Sequence, residues 1–224
     1  MIDVKKNKHI NAELVNLYNK YTPDFLVEWK KAFNTTPPSR INEFGIINIQ
    51  KYDTDNGILF ICRETNGWDN KDYEKGCLFR NWMCDITEKD FKDKSHIKQH
   101  PNMWYNIGRW VLLIKSPDTP IEELSSFKKE TIKHIGQIAF TNINKVRGSE
   151  QSKKEYNRLA KSSVVGEVLK KEIQIINPKV IVCCGTGTIF DKHIQNYSGK
   201  VIYMPHPASR KKKKDLLMEL KKQL

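Results

Sequence analysis

The residues from Asn177 to Arg210 leave few folds open to this chain. They read Asn177-Pro178-Lys179, then Val180-Ile181-Val182-Cys183-Cys184, then Gly185-Thr186-Gly187-Thr188. Pro178 ends whatever helix precedes it. Five apolar residues without alternation predict a short strand covered on both faces. Gly185 and Gly187 permit a sharp turn, and Ile189-Phe190 open a helix. A second strand follows at Gly199-Lys200-Val201-Ile202-Tyr203-Met204. It stops at Pro205-His206-Pro207-Ala208-Ser209-Arg210, beside four consecutive lysines from Lys211 to Lys214. Strand, turn, helix, strand is the unit of an open α/β sheet, and such sheets keep their sites at the carboxyl ends of strands. The loop 205–210 stands at such an end.

The rest of the chain fits the same architecture. Leu14, Leu17, Tyr18, Tyr21 and Phe25 recur at three and four residues, the stripe of a packed helix. Pro23-Asp24 predicts a break there, with a second helix carrying Phe25, Leu26, Trp29 and Phe33. Residues 44–49 read as a strand or a docked segment. Ile58-Leu59-Phe60-Ile61-Cys62 is a continuously apolar strand, and 134–141 reads as another. Residues 103–114 are helical, and Leu124 and Phe127 belong to a short linking helix. Ser152, with Glu155 in the capping-box position, predicts the start of one long helix reaching Ile176. Leu216, Leu217, Leu220 and Leu224 predict a docked terminal helix. The expectation is a three-layer αβα sandwich around a mostly parallel, four-stranded sheet. Residues 1–38 form a helical extension and 39–224 the α/β domain, with 69–103 as an insert.

Net charge is +13, from 39 Lys and Arg against 26 Asp and Glu. That excess favours a polyanionic partner, nucleic acid first. Lysine dominates, which suits phosphate contact without base readout. The opening Met1-Ile2-Asp3-Val4-Lys5-Lys6 has no apolar run, and no window reaches eighteen apolar residues. The five cysteines (Cys62, Cys77, Cys84, Cys183, Cys184) are odd in number and form no CxxC pair. These features predict an intracellular, cytoplasmic, reducing setting, no membrane partner and no metal site.

Three strand ends carry chemistry: Arg63-Glu64-Thr65-Asn66-Gly67-Trp68, Asn142-Ile143-Asn144-Lys145, and the loop 205–210. Their order resembles the uracil-DNA glycosylase superfamily, and within it the thermophile-type, iron–sulfur-bearing branch. That branch writes Gly-Glu-Ala-Pro-Gly after an apolar strand, where this chain has Arg63-Glu64-Thr65-Asn66-Gly67. Its middle motif is Thr-Asn-x-x-Lys-Cys, against Thr141-Asn142-Ile143-Asn144-Lys145-Val146 here. It writes Glu-Ile-x-x-Ile-x-Pro-Lys-Val-Ile-Val, matched by residues 172–182. Its last motif is His-Pro-Ala/Ser with a following arginine, against His206-Pro207-Ala208-Ser209-Arg210. The likeness spans about residues 40–224. Val146 replaces a cluster cysteine and none follows before Cys183, so no iron–sulfur cluster and no other cofactor is expected.

The resemblance implies base-excision chemistry on DNA, single- or double-stranded. A glycosylase takes a nucleotide out of the stack, holds its base edge, stabilises the leaving anion and places water under C1′. Asn142 would read the base, since an amide offers both acceptor and donors. His206 would donate to the developing negative charge. Glu64 would orient water, and Thr65 would hold it. Trp68 or Tyr73 would stack on the base. Lys145, Ser209, Arg210, Lys211 and Lys212 would grip phosphates. Each residue also has a plainer reading, as a turn, cap, core or solvated side chain. Threonine is a poor base, and Arg63 and Asn66 replace a glycine and a proline, which keeps a second class open: a catalytically inactive nucleic-acid binder on the same fold. Gly185-Thr186-Gly187-Thr188 hints at a phosphate loop and a nucleotide-binding transferase. It lacks the Lys-Ser/Thr of a P-loop and the third glycine of a dinucleotide fingerprint. The sequence names no protein partner.

Overall fold

The computed structural model describes residues 2–34, 36, 39–63, 79–88, 101–127, 129–146 and 153–224. Five strands form one sheet: β1 Gly45–Ile46, β2 Ile58–Cys62, β3 Ala139–Asn142, β4 Val180–Cys184 and β5 Lys200–Met204, in the order β1-β3-β2-β4-β5. The last four are parallel, and β1 runs antiparallel to β3. All five residues of β2 are buried, as its apolar run requires of a central strand. In β5, Lys200 and Tyr203 are exposed, as suits an edge.

The sheet therefore has five strands rather than the expected four. The added strand is two residues long, and its existence depends on pairing rather than on pattern. Ile46 is held from outside by Asn11: its N–H donates to Oδ1 at 2.9 Å and its carbonyl accepts from Nδ2 at 3.0 Å. Gly45 has φ +140°, and a Cβ there would lie 2.6 Å from Asn11 Oδ1, so only glycine fits. The opposite edge is closed in the same manner. The Tyr203 N–H donates to Gln223 Oε1 at 2.9 Å, and Gln223 Nε2 donates back to the Tyr203 carbonyl at 3.0 Å.

Helices flank the sheet in two groups. One comprises α1 (Val4–Phe33), α5 (Lys153–Ala160), α6 (Ser163–Ile176) and α7 (Gly187–His193), which pack on one another. The other comprises α2 (Phe79–Glu88), α3 (Pro101–Lys115), α4 (Ile121–Ser126), a 3₁₀ segment (Lys129–Gln137) and α8 (Lys213–Lys221). The helix α1 passes through Pro23 without breaking. A proline in a helix interior costs about 3 kcal/mol. Here Leu14, Leu17 and Tyr18 before it, and Phe25, Trp29 and Phe33 after it, all lie buried in the common core, which outweighs that cost. The buried residues of α1 thus belong to the common core.

Two further expectations change. The long helix ending at Ile176 is split, because Ser162 caps a new start with its Oγ accepting from the Val165 N–H at 3.3 Å. Its other end closes as expected, with Asn177 in the left-handed region at φ 46° just before Pro178. The proposed cap at Ser152 lies outside the described residues. The expected strand at 134–141 shrinks to β3. Ile132, Ile135 and Ile138 are buried three apart, a spacing that matches three residues per turn and makes the preceding segment 3₁₀.

Candidate functional site

The chain leaves β2 for β3 on one side, then crosses to β4 on the other. That reversal creates a topological switch point between β2 and β4, outside whose carboxyl ends α/β proteins bind ligands. In this protein the crevice is bridged: Thr186 Oγ1 donates to the Ile61 carbonyl at 2.8 Å. Gly185 adopts φ +69° and its N–H donates to the Met204 carbonyl at 2.7 Å. A Cβ on Gly185 would lie 3.4 Å from the His206 backbone nitrogen. The Gly185-Thr186-Gly187 turn thus closes the crevice and lets the His206 loop approach.

His206 follows β5 and is half-buried. The Ala208 N–H donates to its Nδ1 at 3.2 Å. An acceptor at Nδ1 puts the proton of the neutral ring on Nε2. The loop is fixed from beneath. Asn106 Nδ2 donates to the Pro207 carbonyl at 2.7 Å, and Arg109 Nη1 donates to Asn106 Oδ1 at 3.0 Å. Arg109 is itself buried, its Nε donating to the carbonyls of Leu124 and Phe127. Desolvation by burial lowers its pKa from the usual arginine value. Sequence reasoning missed both residues. The signal was a polar pair, three apart, inside the apolar helix α3.

Asn142 is the last residue of β3, in register with Cys62. Parallel pairing continues past it: the Ile143 N–H donates to the Cys62 carbonyl at 2.9 Å and the Asn144 N–H to the Arg63 carbonyl at 2.8 Å. Asn142 is 1% exposed. Three strand spacings separate β3 from β5, about 14 Å at the level of the sheet. Any ligand shared by Asn142 and His206 has to span the ends of β2 and β4.

Lys145 is not available to phosphate. It is 2% exposed and turned inward onto Glu172, with Nζ 2.7 Å from Oε1 and 2.8 Å from Oε2. Thr141 Oγ1 donates to the same carboxylate at 2.8 Å, and the Tyr18 hydroxyl donates to it as well. The Phe44 ring centroid lies 5.2 Å from the ammonium. Burial lowers the Lys145 pKa and Glu172 pulls it back up; burial, then Glu172, holds the Tyr18 hydroxyl far above its usual value. The Thr141-Asn142-x-x-Lys145 motif therefore joins α1, β3 and α6 through one internal ion pair. Glu172 falls on the buried stripe of α6, beside Leu169 and Ile173, and a carboxylate in that place demands a buried partner.

Ser209 is half-buried, and its Oγ is inaccessible and has no hydrogen-bond partner among the described residues. Lys211 pairs with Glu219 at 3.0 Å and Lys214 with Glu122 at 2.7 Å, whereas Arg210 and Lys212 are exposed. Arg63, directly after β2, lies over the Tyr156 ring at 4.3 Å, which ties α5 to the carboxyl edge. Glu64, Thr65, Trp68 and Tyr73 lie outside the described residues. Cys62, Cys183 and Cys184 are buried and reduced, and burial pushes the Cys183 thiol up to about 12, which suits packing rather than nucleophilic work. Among the described residues no helix is long and apolar enough to cross a membrane. No protein-family model matches the chain, and no curated protein matches it in sequence.

Proposed function

We propose that this chain is a DNA glycosylase that hydrolyses the N-glycosidic bond of uracil or another altered pyrimidine, on a three-layer αβα scaffold. The observation that carries the reading is the His206 loop. It lies at a strand's carboxyl end, anchored through Asn106 to buried Arg109, with the proton of its neutral ring on Nε2. In the reaction the C1′–N bond breaks and the base leaves with the electron pair. His206 donates a hydrogen bond to the oxygen that gains charge, and water oxygen bonds to C1′. One water proton remains on the sugar hydroxyl, and the other neutralises the base. Asn142 holds the base edge. By the resemblance, Glu64 and Thr65 orient the water.

A second reading, a non-catalytic nucleic-acid binder, is favoured by the burial of Asn142, which leaves almost none of that side chain open to a ligand. A base-release assay separates the two. End-labelled single- and double-stranded oligonucleotides carrying uracil, oxidised or enlarged pyrimidines are incubated with the protein and cleaved by alkali. Strand breaks at one altered base are expected, falling on the order of 10²-fold or more in His206→Ala and also lost in Asn142→Ala. No break across the panel, with salt-sensitive DNA binding intact, overturns the catalytic reading for those bases and leaves the binder.

A further inference from the structure

The cations that the charge excess provides are not equivalent. Lys211, Lys214, Lys171 and Lys31 each pair with a surface carboxylate, and Lys145 is internal. One group is different. Among the described residues, a groove of about 560 Å³ is lined by Lys154, Asn157, Arg158 and Lys161, three cations and an amide with no carboxylate. Among the described residues the side chains of Lys154, Asn157 and Lys161 have no ion pair or hydrogen bond, and Arg158 reaches only the Lys31 and Ala32 carbonyls at the end of α1. All four lining residues are exposed.

We infer that this face of α5 and the turn after it is a backbone track, which leads a nucleic-acid strand to the carboxyl edge of the sheet. The inference rests on the nucleic-acid partner proposed above, though not on its chemistry. Positions 154, 157, 158 and 161 recur at three and four residues and share one helical face. Seven residues of helix rise about 10 Å, enough to face on the order of three phosphates of a stacked strand at 3.4 Å each. Lysine and arginine, with no apolar side chain among the described lining residues, suit phosphodiester contact without base readout rather than insertion into a lipid surface. The opposite face of the same helix carries Tyr156, 3% exposed, whose ring supports Arg63 at the end of β2. Lys30, in the last turn of α1, adds a further cation to the helix end that Arg158 contacts.

The test is the salt dependence of binding, read by fluorescence anisotropy with a labelled oligothymidylate. Three phosphate contacts contribute about 2 to the slope of log K against log salt for a single strand. Lys154→Gln/Arg158→Gln/Lys161→Gln is expected to reduce the slope by about that amount. The pair Lys154→Gln/Lys161→Gln, which leaves the Arg158 contacts to α1 in place, should reduce it by about 1.4. A control of equal charge, Lys5→Gln/Lys6→Gln/Lys179→Gln, should change it by less than about 0.5. Equal losses in both triple variants, or none in either, overturn the inference, because attraction would then be diffuse. So does groove-dependent binding to anionic phospholipid vesicles without binding to the oligonucleotide. If the wild type releases no base but the slope differences hold, the chemistry falls and the track stands.

Discussion

Replacing Lys145 by methionine tests the internal ion pair, and a second substitution sharpens the result. Glu172 is fully buried, and Lys145 provides its countercharge through two hydrogen bonds. Methionine keeps the volume and removes the charge. Breaking a buried pair by removing one partner costs about 3–5 kcal/mol. Tyr18 and Thr141 still donate to the carboxylate, which sets the expectation at the lower end, about 3 kcal/mol. That is a large part of the roughly 5–15 kcal/mol that holds a domain together. Adding Glu172→Gln removes the orphaned charge while keeping an oxygen to accept from both hydroxyls. The double variant should regain about 2 kcal/mol over the single one. Urea denaturation followed by tryptophan fluorescence reads both values, provided the m-value stays constant. A Lys145→Met protein within about 1 kcal/mol of wild type, or a double variant less stable than the single, refutes the account of this pair.

Two further tests follow from the same geometry. Asn106→Ala leaves the Pro207 carbonyl and one Arg109 donor without their partner, and should cost about 1–3 kcal/mol; base release should fall with it as the His206 loop loosens, and an active variant at wild-type rate would separate the anchor from the site. At high pH, burial raises the pKa of Tyr18 and Tyr52 and takes Tyr197 to about 12, while the Asp191 hydrogen bond takes Tyr203 to about 12. Folded-state values above the unfolded value of about 10 mean stability fully present below pH 10 and lost as pH rises towards 12. Lys145, lowered by burial, gives the opposite slope up to about pH 10.4, so the test belongs above that value. Melting temperatures that stay level from pH 10.5 to 11.5 would contradict this.

How far the sequence could be read depended on whether neighbours in the chain were also neighbours in space. The runs of β2 and β4 announced buried strands because apolar continuity is a local property. Asn177-Pro178 announced a helix end for the same reason. Pro23 misled, because the cost of a proline is local while the burial that outweighs it comes from other elements. Residues 44–49 could be read either as a strand or as a docked segment, and the pairing of Gly45 and Ile46 with Phe140 and Ala139 decides for a strand. Lys145 looked like a phosphate contact because its partner stands 27 residues on and Tyr18 far upstream. A charged Glu172 among the leucines and isoleucines of α6 was the clue that pointed inward. The parts of the site that depend on Glu64, Thr65, Trp68 and Tyr73 are carried by the motif resemblance alone.

The amides of Asn11 and Gln223 have a consequence for how the molecule behaves in company. A sheet grows by recruiting a foreign strand onto an unpaired margin. Here a single amide occupies the outward-facing N–H and C=O of Ile46 on one margin and of Tyr203 on the other. An arriving peptide must first displace an amide that already makes both hydrogen bonds. It gains little there by exchange. Fibril growth of the cross-β kind needs a vacant ladder. At these two residues such growth needs Asn11 on α1, or Gln223 in the turn after α8, to come away first.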